Sequence, residues 1–456
     1  MDILKSKKEE NFSKWYHEII EATHIVDSTV VQGSIVYSDY CLAIWDQIKK
    51  FLNEKLSSMG FREYYFPTLI PLSSFRKEKR HFEDFFRETL IVSKAGQNAL
   101  KEDMVIRPTS ESIMYESFAK WVKAEEDLPL LVNQYCSVFR WESLKPNMPL
   151  IRGNEFLWQE SHSAHKTEEE ADSFVKSLLK IYLELSNDYA AMPVVQGFKP
   201  HHRMFPGAKY TLALEALMPD LKSVQLATSH SLGQNFSSAF GIKFRDANGK
   251  EKAAWQACNG ITTRLIGAMI MLHSDNYGLV LPSRLAPYQC ILIGADESIK
   301  KSLEENGIRC FIDKSGKAKD EKIRYWKMMG APVIAVKDKE KYEIIRRDTL
   351  ERKIIGQNKL ADEVPKMLDS IQKSLFEKAK AFNKKFASQA DSWEEFEAAA
   401  KKGGFITAKW CGEVPCAKQI RETTKNSLRV VNPVKNGRCV HCSKEVHYEG
   451  IFAPAY

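Results

Sequence analysis

The chain has 456 residues, enough for two or three domains, and its 44% hydrophobic and 28% charged content is that of an ordinary folded protein. Its 67 lysines and arginines against 59 acidic residues leave a net charge of +8, which suits a polyanionic partner without demanding one. Nine cysteines, an odd number, argue against a disulfide framework.

The charged start, MDILKSKKEENFSKWYHEII, has no apolar signal segment. No run, Leu265–Leu272 included, is long enough to span a bilayer, so the expectation is a cytoplasmic protein with no membrane partner. Tyr37–Met59 predicts an amphipathic helix with Leu42, Ile44, Trp45, Ile48, Phe51 and Leu52 on its stripe. Gly60 stops it, and Phe61–Phe66 predicts a strand ending at Pro67. Ser110–Val122 predicts a second helix whose stripe is Met114, Phe118, Trp121 and Val122. At its mouth, Arg107-Pro108-Thr109-Ser110-Glu111 admits two readings. Thr109 or Ser110 caps the helix, or Thr109 and Glu111 present acceptors to an amine.

The densest segment runs from Phe139 to His165, FRWESLKPNMPLIRGNEFLWQESHSAH, and predicts a strand, a loop and a second strand. Arg140 and Arg152 carry planar forks suited to phosphate oxygens. Phe156 and Trp158 alternate at strand period and so share a face. A half-buried strand pair with surface ion pairs is the plainer alternative. Thr167–Tyr189 predicts a third helix, opened by Thr167 and a glutamate run that suits the positive end of the helix dipole.

Leu226–Phe236 mixes small residues, which let backbone approach a ligand, with His230, whose role the segment leaves open. Asn259–Ala268 opens an apolar helix, and Arg264 in its first turn opposes the dipole. That placement points to a compensating anion or π-surface, or else to a surface ion pair.

Composition shifts at 278–287, GLVLPSRLAP, and about Gln289–Lys385 alternates element types. Strands are predicted at Ile291–Gly294, Ile308–Ile312 and Val333–Val336, helices at Glu297–Asn306 and Lys317–Met329. A hairpin of Tyr342–Arg347 and Lys353–Gly356 then precedes a long basic helix, Ala361–Lys385. In the tail, Cys411-Gly-Glu-Val-Pro-Cys416 and Cys439-Val-His-Cys442 form two thiolate knuckles. Four thiolates fill a tetrahedral shell, so a structural Zn2+ is expected there, with His441 and His447 as lesser rivals.

These pieces stand in the order found in class II aminoacyl-tRNA synthetases. Met59–Pro67 resembles motif 1, Phe139–Phe156 motif 2, and Gly260–Ala268 motif 3. RPTSE, NEFLWQESHSAH, TSHSLGQNF, TTR with GLVLPSRLAP, and the four-cysteine tail ending in Tyr456 together resemble prolyl-tRNA synthetases of the archaeal/eukaryotic type. The resemblance implies an α+β catalytic domain on an antiparallel sheet over residues 1–286. It further implies an α/β anticodon-binding domain over 287–388 and a small α+β zinc-binding domain over 389–456.

The implied activity is ATP-dependent formation of prolyl-adenylate and transfer of prolyl to tRNA(Pro), with Mg2+, in a homodimer joined through motif 1. By that resemblance Arg140 and Arg264 are catalytic, and Arg140, Glu142, Arg152, Phe156, Gln225, Thr228, Thr262 and Arg264 hold ATP. Thr109, Glu111, Arg140, Trp158, Glu160, His162, Phe205, His230 and Ser231 form the L-proline site. Glu340, Arg347 and Lys353 are candidates for reading anticodon guanines. Three departures stand out: Asn259 where an aromatic is usual, a longer loop over Leu144–Ile151, and no Gly-Pro in the turn Val336–Glu340. The span from Phe156 to Gly260 is too short for an inserted editing domain.

Overall fold

A computed structural model describes residues 4–77, 87–141 and 148–456. Its centre is an eleven-stranded sheet. The catalytic part runs in the order Val194–Phe198, Tyr210–Leu217, Ser223–Gly233, Trp255–Thr262, Glu155–His165, Leu130–Phe139, with Arg62–Glu63 at the edge. All these neighbours pair antiparallel except the edge strand, which runs parallel to Leu130–Phe139. The predicted strand Phe61–Phe66 keeps regular pairing only at Arg62–Glu63. Beyond it the backbone amides of Tyr64 and Phe66 still donate to Asn133 O and Gln134 Oε1.

Helix Asp39–Ser58 starts at Ser38, whose hydroxyl accepts from the Cys41 amide at 3.2 Å. It buries Ile44, Trp45, Ile48, Phe51 and Leu52, each contributing about 1.5–3 kcal/mol. Leu42, expected on that stripe, is exposed, as is Trp121 at the end of helix Glu111–Trp121. Thr167 caps helix Glu168–Glu184 by accepting from the Glu170 amide, and the helix continues into a π-turn at Leu185–Tyr189. This helix lies under the sheet, where Ser229 Oγ reaches Val175 O at 2.6 Å.

The sheet does not end with the catalytic strands. Val431 pairs with Phe198, which joins the tail strands Ser427–Pro433, Tyr448–Ala453, Phe405–Trp410 and Ala387–Ala390 to the same sheet. The joint is fixed by a buried charge cluster. Glu215 accepts from Arg429 Nε and Nη2 at 3.1 and 2.9 Å, from Lys199 Nζ at 3.1 Å and from Ser223 Oγ at 2.6 Å.

The α/β unit has strand order Cys310–Ile312, Cys290–Ile293, Val333–Asp338, Lys341–Arg346, Arg352–Gly356, the first three parallel, covered by helix Leu360–Lys385. Arg347 closes it against the catalytic part. It is 1% exposed, grips Asp275 through both Nη atoms at 2.8 and 2.7 Å, and donates Nε to Lys327 O at 2.6 Å. That geometry corrects the anticodon reading of Arg347: every face of its guanidinium is committed inside the protein.

Candidate active site

Strand register decides which side chains share the upper face of the sheet. His230, Cys258 and His162 stand in one cross-strand row, and Thr228, Gly260 and Glu160 in the next. Trp158 pairs with Thr262 in the row beyond. Residues of odd parity fall on the other face. Ser231 is among them: its hydroxyl donates to Asp172 of helix Glu168–Glu184 at 3.0 Å. Its expected place in the amino-acid pocket is therefore corrected. Asn259 lies on that lower face too, accepting from Ser229 Oγ. Its amide nitrogen has no partner among the described residues, so the departure at Asn259 alters packing beneath the sheet.

Two cavities open on the upper face and share a wall of Arg140, Phe156, Thr262 and Arg264. The larger, about 660 Å³, adds Arg152, Glu155 and residues of the N-terminal segment such as Glu21, His24, Asp27 and Gln32. The smaller, about 270 Å³, holds Thr109, Glu111, Trp158, Glu160, His162, Phe205, Gln225, Thr228 and His230. Arg140 stands at the junction. Its Nε donates to Pro108 O at 3.0 Å, and its guanidinium lies 5.7 Å from both the Phe156 and Trp158 rings. Those rings meet edge to face at 6.3 Å. Arg264 Nε donates to Ile151 O at 2.9 Å and Nη1 to Gln225 O at 3.4 Å, and with Phe156 it lines the shared wall. Glu142 lies outside the described residues.

The smaller cavity is lined by a satisfied polar network. Ser110 begins helix Glu111–Trp121 without capping it; its hydroxyl donates instead to Glu160 Oε1 at 2.5 Å. Thr109 donates to Glu111, so neither Thr109 nor Ser110 caps the helix through its side chain. Glu160 also accepts from Gln134 Nε2 at 2.7 Å and pairs with His162 Nε2 at 2.9 Å. Burial alone would raise the Glu160 carboxyl, but the His162 pair and the Ser110 and Gln134 hydrogen bonds hold it below its ordinary value. Burial likewise opposes charge on His162, and Glu160, with Glu111, raises it nonetheless. Glu111 is raised, chiefly by burial, despite the pull of His162; a cationic amine in the cavity would give it a counter-charge.

His230 sits between Thr211 Oγ1 at 2.8 Å and Thr228 Oγ1 at 2.9 Å, with Phe205 over its ring at 5.0 Å. Burial, with His162 and Lys199 nearby, brings it down to about 3, so it is neutral and serves as a wall, not a base. Thr228, expected among the ATP contacts, thus faces His230 in the smaller cavity and does not line the larger one.

Several lining groups lie outside the motifs read from the sequence. The N-terminal segment enters the larger cavity because Gly33 O accepts the Asn154 amide at 2.7 Å. A Cβ at Gly153 would sit 2.7 Å from that same oxygen, so the close approach requires glycine there. Lys199 and Arg203 line the smaller cavity, and the basic run Lys199-Pro-His-His-Arg203 was the available signal.

In the tail, Gly412 at φ +84° turns the chain into helix Val414–Thr424, whose first turn carries Cys416. The sulfurs of Cys411, Cys416, Cys439 and Cys442 all lie within 4.8 Å of one another, and Cys416 and Cys439 are 3.6 Å apart. The donor set fits a tetrahedral structural ion. His441 Nδ1 is 3.4 Å from Cys416 Sγ with its ring edge-on to Trp393, while His447 is turned to Lys435 O.

Three family models match the chain: "tRNA synthetase class II core domain (G, H, P, S and T)" over residues 92–273, "Anticodon binding domain" over 290–367, and "Prolyl-tRNA synthetase, C-terminal" over 393–456. Among similar proteins, Proline--tRNA ligase 2 of Bacillus thuringiensis subsp. konkukian is 39% identical over 470 residues, covering 99% of this chain and 98% of that one. Proline--tRNA ligase of Borreliella afzelii is 39% identical over 486 residues and 99% of both chains. A crystal structure of prolyl-tRNA synthetase from Cryptosporidium parvum, complexed with halofuginone and AMPPNP, superposes with a TM-score of 0.93 at 32% identity over 99% of both chains.

Proposed function

The chain belongs to the prolyl-tRNA synthetase family and ligates proline to tRNA at the expense of ATP, and we propose that the two cavities meeting at Arg140 divide that chemistry between them. The observation that carries this reading is the shared wall: two arginines, Arg140 and Arg264, line both cavities, where the carboxylate of one substrate must meet the α-phosphate of the other.

L-Proline occupies the smaller cavity. Thr109 and Glu111 receive its secondary ammonium, Trp158, His162, Phe205 and His230 bound its ring, and Glu160 holds Ser110 and His162 in place. ATP occupies the larger cavity, its adenine between Phe156 and Arg264 and its outer phosphates near Arg152. Gln225 and Thr262 contribute from the shared side. Arg140 holds the proline carboxylate against the α-phosphorus, and the carboxylate attacks in line as pyrophosphate leaves. The terminal adenosine hydroxyl of tRNA(Pro) then attacks the prolyl carbonyl, the bond to phosphate breaks, and AMP leaves with the proton. Positioning and charge neutralisation by Arg140 and Arg264 accelerate both steps, without a protein nucleophile. Glu155, on the wall of the ATP cavity, is a carboxylate for Mg2+, which supplies further neutralisation when bound. Proline-dependent ATP–pyrophosphate exchange followed by charging of tRNA(Pro) tests the reading; exchange without charging, or neither, contradicts it.

In the α/β unit we keep Glu340 and Lys353 as anticodon contacts. Both are exposed, and Lys353 is paired with Glu363 only at the surface, 2.6 Å away. Their replacement by alanine should raise the KM for tRNA and leave pyrophosphate exchange alone; an unchanged KM removes them.

The tail cysteines hold structural zinc in this reading. Chelation should strip hydrogen-exchange protection from strands Phe405–Trp410 and Tyr448–Ala453, since such shells fold with their ion. Full protection in metal-free protein contradicts the zinc role. Motif 1 forms a homodimer interface. The ring of Tyr64 lies tilted against the exposed Trp121 at 5.3 Å beside Tyr65, which is 70% exposed, an apolar surface next to the sheet edge. Sedimentation should give twice the 52.2 kDa chain mass, and a monomer at micromolar concentration contradicts it. A cytoplasmic site of action suits a tRNA ligase, and cell fractionation checks it.

A further inference from the structure

Within the smaller cavity, Glu111, His162 and Cys258 bring a carboxylate oxygen, an imidazole nitrogen and a sulfur within 4.8 Å of one another, all three residues buried. The four tail cysteines fall within the same 4.8 Å limit. Tetrahedral zinc places its ligand atoms roughly 3.3–3.8 Å apart, given bonds of about 2.0–2.3 Å, so both clusters lie within about 1 Å of that geometry. The grouping follows from the fold. Cys258 and His162 are direct partners across adjacent strands and project to one face, and Glu111 comes down from the first turn of the helix above.

We infer that Glu111, His162 and Cys258 form a second cation site, selective for a thiophilic divalent ion such as Zn2+, whose occupancy excludes proline. The set mixes soft, borderline and hard donors, as open zinc sites do, and three protein ligands leave a fourth position facing the cavity. A supporting shell is already in place. Glu160 takes His162 Nε2–H at 2.9 Å, the carboxylate–histidine arrangement that orients a ligating imidazole. Nδ1 then faces Tyr115, whose hydroxyl is 3.0 Å away and sits one helical turn from Glu111. Binding exchanges that hydroxyl for the ion at Nδ1. Two carboxylates, Glu111 and Glu160, bracket the imidazole, so the local field favours a cation. Because Glu111 is also the residue given to the proline ammonium, ion and amino acid compete; that competition alone rests on the proline reading of the cavity.

The test is a metal titration of the full-length, metal-stripped chain. Two equivalents of Zn2+ are expected, one of which is lost in Cys258→Ser and the other in Cys416→Ser. Co2+ in place of Zn2+ should give a thiolate-to-cobalt band that falls in Cys258→Ser and in His162→Gln, and that saturating proline without ATP reduces by the same amount. In pyrophosphate exchange, free Zn2+ should raise the apparent KM for proline at least tenfold with kcat unchanged. A single equivalent in the unmodified chain, a second that survives in both Cys258→Ser and His162→Gln, or a cobalt band indifferent to proline overturns the inference. Failure of the metal-free chain to activate proline at all counts against the functional reading instead, whatever the metal count.

Discussion

Replacing Arg140 with alanine should lower proline-dependent ATP–pyrophosphate exchange by about 10²–10³-fold, the usual loss when one preorganised donor aimed at developing charge is removed. Arg140 lines both cavities and carries a fork broad enough to hold a carboxylate and a phosphate oxygen together. The loss should appear in kcat more than in KM, because the interaction strengthens as charge builds on the α-phosphate. Arg140→Lys should recover only part of it, since a point charge cannot reproduce a planar fork. The fold should survive: the bond from Arg140 Nε goes to a neutral acceptor, Pro108 O, at a cavity wall. Circular dichroism and thermal unfolding check that point. Exchange within about threefold of the unmodified chain would remove Arg140 from the mechanism, since that is far below the expected loss.

Replacing Glu215 with alanine should destabilise the joint between catalytic sheet and tail by about 3–5 kcal/mol, the loss seen when one partner of a buried ionic cluster is removed. Glu215 is fully buried, and Lys199 and Arg429 on either side expose 6% and 9% of their side chains. Without the carboxylate, two cations stay buried with no counter-charge. Burial by itself would raise the Glu215 carboxyl, but Lys199 and Arg429 hold it below its ordinary value. A depressed carboxyl contributes stability that is present above its unfolded value of about 4.3 and is lost as pH falls through its folded value. The unmodified chain should therefore lose protection of strand Ser427–Pro433 on acidification below that range, and Glu215→Ala should lack it already at pH 7. Hydrogen exchange of that strand reads both effects. A change under about 1 kcal/mol at pH 7 would show that the cluster does not hold the joint.

These two residues also mark what could be read from the chain alone. Arg140 was legible because its neighbours Phe156 and Trp158 alternate at strand period within one short segment, so a shared face follows from local geometry. Glu215 was not, because its partner Arg429 lies 214 residues away and only the pairing of Val431 with Phe198 brings them together. Ser231 fell on the wrong side for a related reason. The TSHSLGQNF signature names residues but not their parity, and one step along a strand reverses the face. Arg347 looked like a surface reader of guanine because hairpin charges usually face solvent; docking against Asp275 buries it. Leu42 and Trp121 carried helical spacing yet stayed exposed. Their period could not say whether the apolar partner is this chain or a second copy. The two helices that frame the site, by contrast, kept their predicted starts to within a residue, since capping acts locally, as at Thr167.

The central claim, that the small cavity beneath Arg140 selects proline for activation, is tested most directly by ATP–pyrophosphate exchange across a panel of amino acids. Strong exchange with L-proline, and little with threonine, histidine or alanine, is the predicted result. Exchange driven by threonine or histidine, with none for proline, would contradict it.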